Sequence, residues 1–234
     1  MSLVPHSVDP ARRLWVAVPA YTGEICAGTA QAIYYAGLHA LADGLFVSLD
    51  ILAGCCYLDL ARNTLVDRFM ASDATDLLFI DADLTFPAEA IAQIAAVTKP
   101  VVCGVYPKKG ENQEWPAELP AGENWSDAEG CLELTHAPTG FLRIHRSVFE
   151  AMAPHVPVHG KPDKSGPMPA YFQCVARDGM YWGEDYEFCN RWRALGGKLY
   201  CLPEIPFEHI GQRHWKGRFG DYLRGRPLPA QEAA

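Results

Sequence analysis

Over the first hundred residues, short apolar β-rich runs alternate with longer stretches of helical spacing, the pattern of a parallel sheet flanked by helices. The run from Leu14 to Tyr21 predicts a first strand, Ile25 to Ala42 a helix and Leu45 to Ile51 a second strand. Between Tyr57 and Ala71, residues Leu58, Ala61, Leu65 and Phe69 recur at spacings of 3, 4 and 4, which places them on one face of a second helix. Leu77 to Ile80 predicts a buried strand, and Pro87 sits at a helix start with Ile91 and Ile94 in register behind it. Val101 to Tyr106 closes the alternation.

From Pro107 to Gly130 the alternation stops, and Pro, Gly, Trp and Glu accumulate as in an excursion over the sheet. Two further runs, Cys131 to His136 and Phe141 to His145, predict strands bracketing the turn Ala137-Pro138-Thr139-Gly140. Proline-rich Ala153 to Pro169 predicts a loop or lid. A last helix beginning near Glu184 carries Phe188, Trp192 and Leu195 on one face and stops at Gly196-Gly197, before a strand from Lys198 to Pro203. The final PLPAQEAA predicts a loose tail, and no internal repeat is visible.

The chain has 234 residues, long enough to bury about 70% of its unfolded surface in one α/β domain without metal or disulfide staples. No run approaches the roughly 20 apolar residues of a membrane span, and the opening MSLVPHSVDPARRLW lacks the apolar core of a signal peptide, so a cytoplasmic location is expected. The eight cysteines form no C-x-x-C pair and are expected to be buried reduced thiols rather than zinc ligands. Twenty Lys+Arg against 28 Asp+Glu gives a net charge of −8, which argues against nonspecific nucleic-acid binding. The charge is uneven, however: Arg213, Lys216, Arg218, Arg224 and Arg226 face the single acid Asp221 near the end.

Three constellations carry chemistry. Asp81-Ala82-Asp83 follows a buried strand directly, at the strand end where α/β sheets bind ligands, and such oxygen donors suit Mg²⁺ or Mn²⁺ together with a substrate diphosphate. An acidic strand-to-helix turn would read the same way. Tyr181-Trp182-Gly183-Glu184-Asp185 sets aromatic rings and a glycine ahead of two acids at a helix start, where a ring can line a pocket floor beside a proton-accepting carboxylate. Helix-dipole complementarity would account for either acid alone. His209, in Phe207-Glu208-His209-Ile210-Gly211, becomes a metal ligand only if it folds back beside Asp83. Arg62-Asn63 is a weaker candidate, since a helix arginine is by default exposed.

Together these pieces resemble the nucleotide-sugar-dependent glycosyltransferases of the GT-A type, over about Leu14 to Trp215. Val16 to Tyr21 resembles their opening strand, Ala61-Arg62-Asn63 a segment of bacterial and phage members, Asp81-Ala82-Asp83 the D-x-D motif, Trp182-Gly183-Glu184-Asp185 the W-G-x-E-D pattern, and His209 a late metal-binding histidine. The resemblance implies a single GT-A, Rossmann-like domain with a mostly parallel central sheet and a smaller acceptor-side β region. Residues 14–106 would form the nucleotide-sugar half, 107–215 the acceptor half and 216–234 a basic tail. It implies Mn²⁺ or Mg²⁺ at Asp81, Asp83 and His209, and a UDP-sugar, or a GDP-sugar, contacted by Pro19, Tyr21, Arg62, Asp81, Arg213 and Lys216, with His214 beside them. Asp185 would be the catalytic base of an inverting transfer. A glycan or other hydroxyl acceptor would meet Trp182, Gly183, Glu184, Thr139 and Gly140.

Other readings rank lower. A nucleotidyltransferase would use the same acids, but the segment Pro19 to Glu24 has one glycine and an acid where a phosphate-cradling loop is expected. A glycoside hydrolase does not explain the D-A-D triplet with a distant histidine. A non-catalytic carbohydrate- or nucleotide-binding module does not explain metal-type and base-type sites in one chain, and a nucleic-acid acceptor runs against the −8 charge.

Overall fold

The computed structural model describes residues 9, 11–112, 114–122, 125–161 and 163–225, with the backbone of Glu232–Ala233. In the first part of the chain lie β1 (Arg13–Ala20), α1 (Ala27–Ala42), β2 (Phe46–Ala53), α2 (Leu58–Met70), β3 (Asp76–Ile80), β4 (Leu84–Thr85), α3 (Ala90–Ala96) and β5 (Val101–Gly104). The second part holds β6 (Leu132–Leu134), β7 (Phe141–His145), α4 (Arg146–Met152), β8 (Val158–Gly160), β9 (Pro167–Pro169), β10 (Val175–Arg177), β11 (Met180–Trp182) and α5 (Glu184–Ala194). It ends with β12 (Leu199–Leu202), β13 (Pro206–Ile210), β14 (Arg213–Arg218), α6 (Phe219–Leu223) and β15 (Glu232–Ala233).

A seven-stranded sheet in the order β2-β1-β3-β7-β5-β12-β6 forms the centre. Strands β1, β2 and β3 are mutually parallel, as are β5 and β12, whereas β7 runs antiparallel between β3 and β5 and β6 antiparallel beside β12. The two halves of the chain therefore share one sheet. Every residue of β3 is buried, as a central strand covered on both faces must be. One face packs Leu65, Phe69, Phe79, Phe149, Phe172 and Phe188; the other packs Val16, Leu78, Ile91, Phe141 and Phe207.

Some elements differ from the sequence expectation for identifiable reasons. The two strands flanking Ala137–Gly140 do not pair with each other, because β7 is drawn into the buried gap between β3 and β5. Ala153 to Pro169 contains the β8–β9 hairpin, with Pro167 and Pro169 at the two ends of β9, and packs on α2 with Lys161 bonded to Asp67 at 2.7 Å. Residues 213–223 are strand and helix rather than tail. Arg226 and residues 227–231 and 234 lie outside the described residues. On α5, Leu195 is exposed because the helix ends at Ala194, leaving Phe188 as the buried anchor. All eight cysteines are free, but only Cys103, Cys131, Cys189 and Cys201 are buried. Among the described residues no helix is long and apolar enough to cross a membrane.

A buried ion pair locks β7 to β3. Arg143, fully buried, donates to Asp76 Oδ1 at 2.5 Å and to the carbonyls of Val97 and Lys99. Removing one partner strands the other charge in the core. Arg143→Ala is thus expected to lower unfolding free energy by about 3–5 kcal/mol in urea titrations, with Arg143→Met plus Asp76→Asn recovering most of it.

Candidate active site

The carboxyl ends of β1 and β3 open into a cleft of about 440 Å³ whose lining includes Pro19, Tyr21, Leu58, Asp81, Asp83 and His209. Leu58, the expected first member of the buried α2 stripe, is largely exposed because the helix start overhangs this cleft. Strand β13 brings His209 here. It pairs with β4 so that His209 lies opposite Leu84, and the Ile210 amide donates to the Asp83 carbonyl at 2.8 Å.

The two acids of the D-A-D turn have different partners. Asp83 Oδ1 is 3.4 Å from His209 Nε2, while Oδ2 is bonded to the Lys109 ammonium. Burial opposes charge on Asp83, but hydrogen bonds from His209 and Lys109 outweigh it and hold the carboxyl below its ordinary value. Asp81 accepts from Arg62 Nη2 at 3.2 Å and from the Tyr106 hydroxyl at 3.3 Å. Burial, reinforced by Asp81, pushes the Tyr106 phenol well above its usual range and keeps it a donor. Gly140 packs between them: its amide donates to Tyr106 Oη at 3.1 Å and its carbonyl accepts the Asp81 amide at 2.9 Å. A Cβ there would fall 2.4 Å from Asp81 Oδ2, so this position admits only glycine.

Arg62 links this turn to the second acidic motif. Buried to 2% exposure, its Nη2 reaches Asp81 and its Nε reaches Glu184 Oε1 at 3.2 Å. Burial alone would lower its pKa, but the charges of Asp81 and Glu184 raise it. The helix arginine expected at the surface is thus interior, and both acids meet on it. Its Nη1 is buried without a partner among the described residues.

Asp185 stands next to Glu184 at the start of α5. Burial, then the charge of Glu184, push its carboxyl up against the opposing Tyr186 amide, bonded at 2.8 Å, and Arg62. Behind it, Trp182 and Tyr186 both lie near-parallel to the His136 ring, at 5.8 and 4.4 Å. The ring of Trp182 is carried by the β10–β11 hairpin, whose Asp178-Gly179 turn has positive φ at both residues, as a two-residue hairpin connection requires. Glu187 on α5 anchors that hairpin through Arg177 at 3.0 Å. Thr139 is buried behind the site.

The remaining expected contacts fall elsewhere. Lys216 lines a separate cleft with Thr85, Pro87 and Glu208, because strand register puts it beside Glu208 on the face opposite His209. Arg213 and His214 begin β14, and His214 bonds Glu208 at 2.5 Å. Sequence reasoning missed Tyr106, Lys109 and His136; of these, only Tyr106 had a visible signal, a hydroxyl at the end of an apolar strand run.

The donor set fits a hard divalent cation only in part. His209 Nδ1 lies 2.9 Å from the Pro107 carbonyl, the outer-shell bond that turns Nε2 toward a metal. Among the described residues no three His, Cys, Asp or Glu side chains gather as a ligand cage, and Asp81 is committed to Arg62 and Tyr106. Asp83 and His209 are therefore the available protein ligands, which suits a metal completed by phosphate and water.

This is a mixed α/β protein of GT-A fold, its acids at the carboxyl edge of a mostly parallel sheet. Among solved structures it is similar to A197 from STIV, at TM-score 0.57 and 17% identity over 95% of this chain and 96% of that one. It is also similar to a mutant Drosophila beta-1,4-galactosyltransferase 7 in complex with manganese, UDP-Gal and xylobiose, at TM-score 0.50 and 13% identity over 94% of this chain and 76% of that one. No protein-family model and no curated protein sequence matches the chain.

Arg62→Lys leaves one ammonium for two acids. It is expected to destabilise the fold by about 1–3 kcal/mol, and Arg62→Met by about 3–5 kcal/mol, ranked by denaturant midpoint.

Proposed function

We propose that this chain is a metal-dependent glycosyltransferase that moves a sugar from a nucleoside diphosphate sugar, a UDP-sugar, to an acceptor hydroxyl with inversion. The observation that carries the reading is the Arg62 bridge, which sets Asp81 of the D-A-D turn and Glu184 of the W-G-E-D segment on one guanidinium. A metal-type acid pair and a base-type carboxylate then belong to one site. The GT-A fold and the substrates held by the galactosyltransferase neighbour are consistent with it.

In this reading Pro19 and Tyr21 flank the nucleotide, and Asp81, fixed by Arg62 and Tyr106, meets the ribose. Asp83 and His209 would hold a Mn²⁺ or Mg²⁺ ion, which would supply Lewis-acid stabilisation of the departing diphosphate. Asp185 takes the acceptor proton while that oxygen bonds to the anomeric carbon; the bond from that carbon to the phosphate oxygen breaks, and its electron pair leaves with the diphosphate. Its raised proton affinity brings it closer to the working pH of a general base. Glu184 binds acceptor hydroxyls, and the Trp182–His136–Tyr186 rings give the acceptor a flat apolar wall. Lys216 lines its separate cleft and is given no donor contact in this reading. Residues 14–106 form the donor half and 107–215 the acceptor half of one domain.

Incubation with UDP-, GDP- and dTDP-sugars plus Mn²⁺, with and without candidate acceptors, is expected to release diphosphate from a UDP-sugar. Asp83→Ala should abolish metal-dependent donor binding. Asp185→Asn should preserve it and lose roughly 10²- to 10⁴-fold in transfer; full turnover by that variant removes Asp185 from the mechanism.

The same carboxylate makes a stability prediction. A folded pKa raised above the unfolded one contributes stability that is complete below the unfolded pKa and is lost as pH rises through the folded one. Asp185→Asn is therefore expected to melt at or above the parent temperature at pH 7, with its relative advantage shrinking as pH falls toward about 4, as followed by thermal scans.

A further inference from the structure

We propose that Lys109 is a resident cation of the donor site: it neutralises Asp83 until a divalent ion arrives, then passes to the diphosphate of the donor. The inference rests on the metal and donor reading above and assigns a role to a residue that reading does not use.

The geometry is built rather than incidental. Pro107, Lys108 and Lys109 leave the end of β5 as one short segment that touches both candidate ligands: the Pro107 carbonyl engages His209 Nδ1, and the Lys109 ammonium sits on Asp83 Oδ2. The segment is pinned on either side, by Trp215 Nε1 donating to the Gly110 carbonyl at 2.7 Å and by the Lys108 amide donating to the Glu114 carbonyl at 2.8 Å. The Lys109 stem crosses Gly211, where an added Cβ would come within 2.9 Å of the Trp215 ring and 3.2 Å of Lys109 Cδ. A glycine there leaves room for both side chains.

The chemistry follows from charge. Nδ1 donates to the Pro107 carbonyl, so Nε2 is the ring atom that His209 presents to Asp83 Oδ1, at 3.4 Å. Among the described residues, Lys109 is the lysine or arginine paired with Asp83. A divalent ion entering between Asp83 and His209 would sit beside an ammonium, and like-charge repulsion would drive the more mobile partner away. Lysine suits that exchange: it is a compact charge on a flexible four-carbon stem, and its side chain is 35% exposed. The anion that arrives with the ion is the diphosphate, and it gives the displaced ammonium a new partner.

The test uses the full chain and two probes, Mn²⁺ alone and UDP at saturating Mn²⁺, each titrated by calorimetry into the parent, Lys109→Met, Lys109→Arg and Asp83→Ala. Lys109→Met should bind Mn²⁺ roughly 10-fold more tightly than the parent and bind UDP roughly 10-fold more weakly, while Lys109→Arg stays near the parent in both. Unchanged Mn²⁺ affinity in Lys109→Met, with loss in Asp83→Ala, overturns the role of Lys109 and leaves the metal site standing. Unchanged UDP affinity in Lys109→Met overturns it too, since a merely structural ion pair would give that result. If no variant binds Mn²⁺, or Asp83→Ala binds it as the parent does, the metal reading itself fails and takes this proposal with it. Should Lys109→Met not fold, judged by thermal scan, Lys109→Gln carries the same two comparisons.

Discussion

One guanidinium sets the geometry of the whole cleft. Arg62 is buried at the centre of α2, with its charge divided between Asp81 at the end of β3 and Glu184 at the start of α5. A buried charge is costly unless it is paired and hydrogen-bonded, and here each acid limits where the other can stand. Phe79 lies against the guanidinium, 5.1 Å from its carbon, so the side chain is held by packing as well as by charge. The consequence is that two loops far apart in the chain are fixed to the same planar fork, an arrangement a lysine cannot reproduce.

That constraint works only because the sheet delivers the partners. β7 enters between β3 and β5 and brings Gly140 under Asp81, with Tyr106 from the end of β5 alongside. A smaller, four-stranded sheet in the order β15-β14-β13-β4 does the same on the other flank, where the pairing of β13 with β4 carries His209 to Asp83. The central sheet thus supports the acid facing Arg62, and the small sheet supports the acid facing Lys109. The two carboxylates of one triplet are separated in environment by which sheet backs them, and the burial, hydrogen-bond and charge effects on each follow from that separation.

Much of this was legible from residue pattern because each element obeys a local rule. The β3 run is continuously apolar since both its faces are covered, and the acids follow it directly. What pattern could not supply was pairing. Nothing local to Phe141–His145 says that it will lie between β3 and β5, and nothing local to Arg62 distinguishes an interior helix arginine from an exposed one, because its partners come from residues 81 and 184. Lys216 failed for a different reason. Read as tail, it had no face; once Arg213–Arg218 is a strand, alternation puts Trp215 with His209 and Lys216 with Glu208. The basic character of that region is also spent internally, with Arg224 on Glu204 and Asp221 and Lys216 near Glu208, which leaves less of it for a polyanion than the sequence suggests.

The distribution of cations among the four clustered acids has a functional logic. Asp81 and Glu184 share Arg62, and Asp83 has Lys109 with His209 beside it, so these three are held in place by side-chain partners. Asp185 has only a backbone amide and the more distant field of Arg62, set against burial and the neighbouring Glu184. An acid supplied with its own cation would be a poor proton acceptor, because its negative charge would already be satisfied. Withholding that cation from one carboxylate leaves it destabilised in its charged form, and for the same reason basic enough to remove a proton. In the function proposed above, the uneven pairing around Arg62 is what divides one acidic cluster into positioning groups and a reactive one.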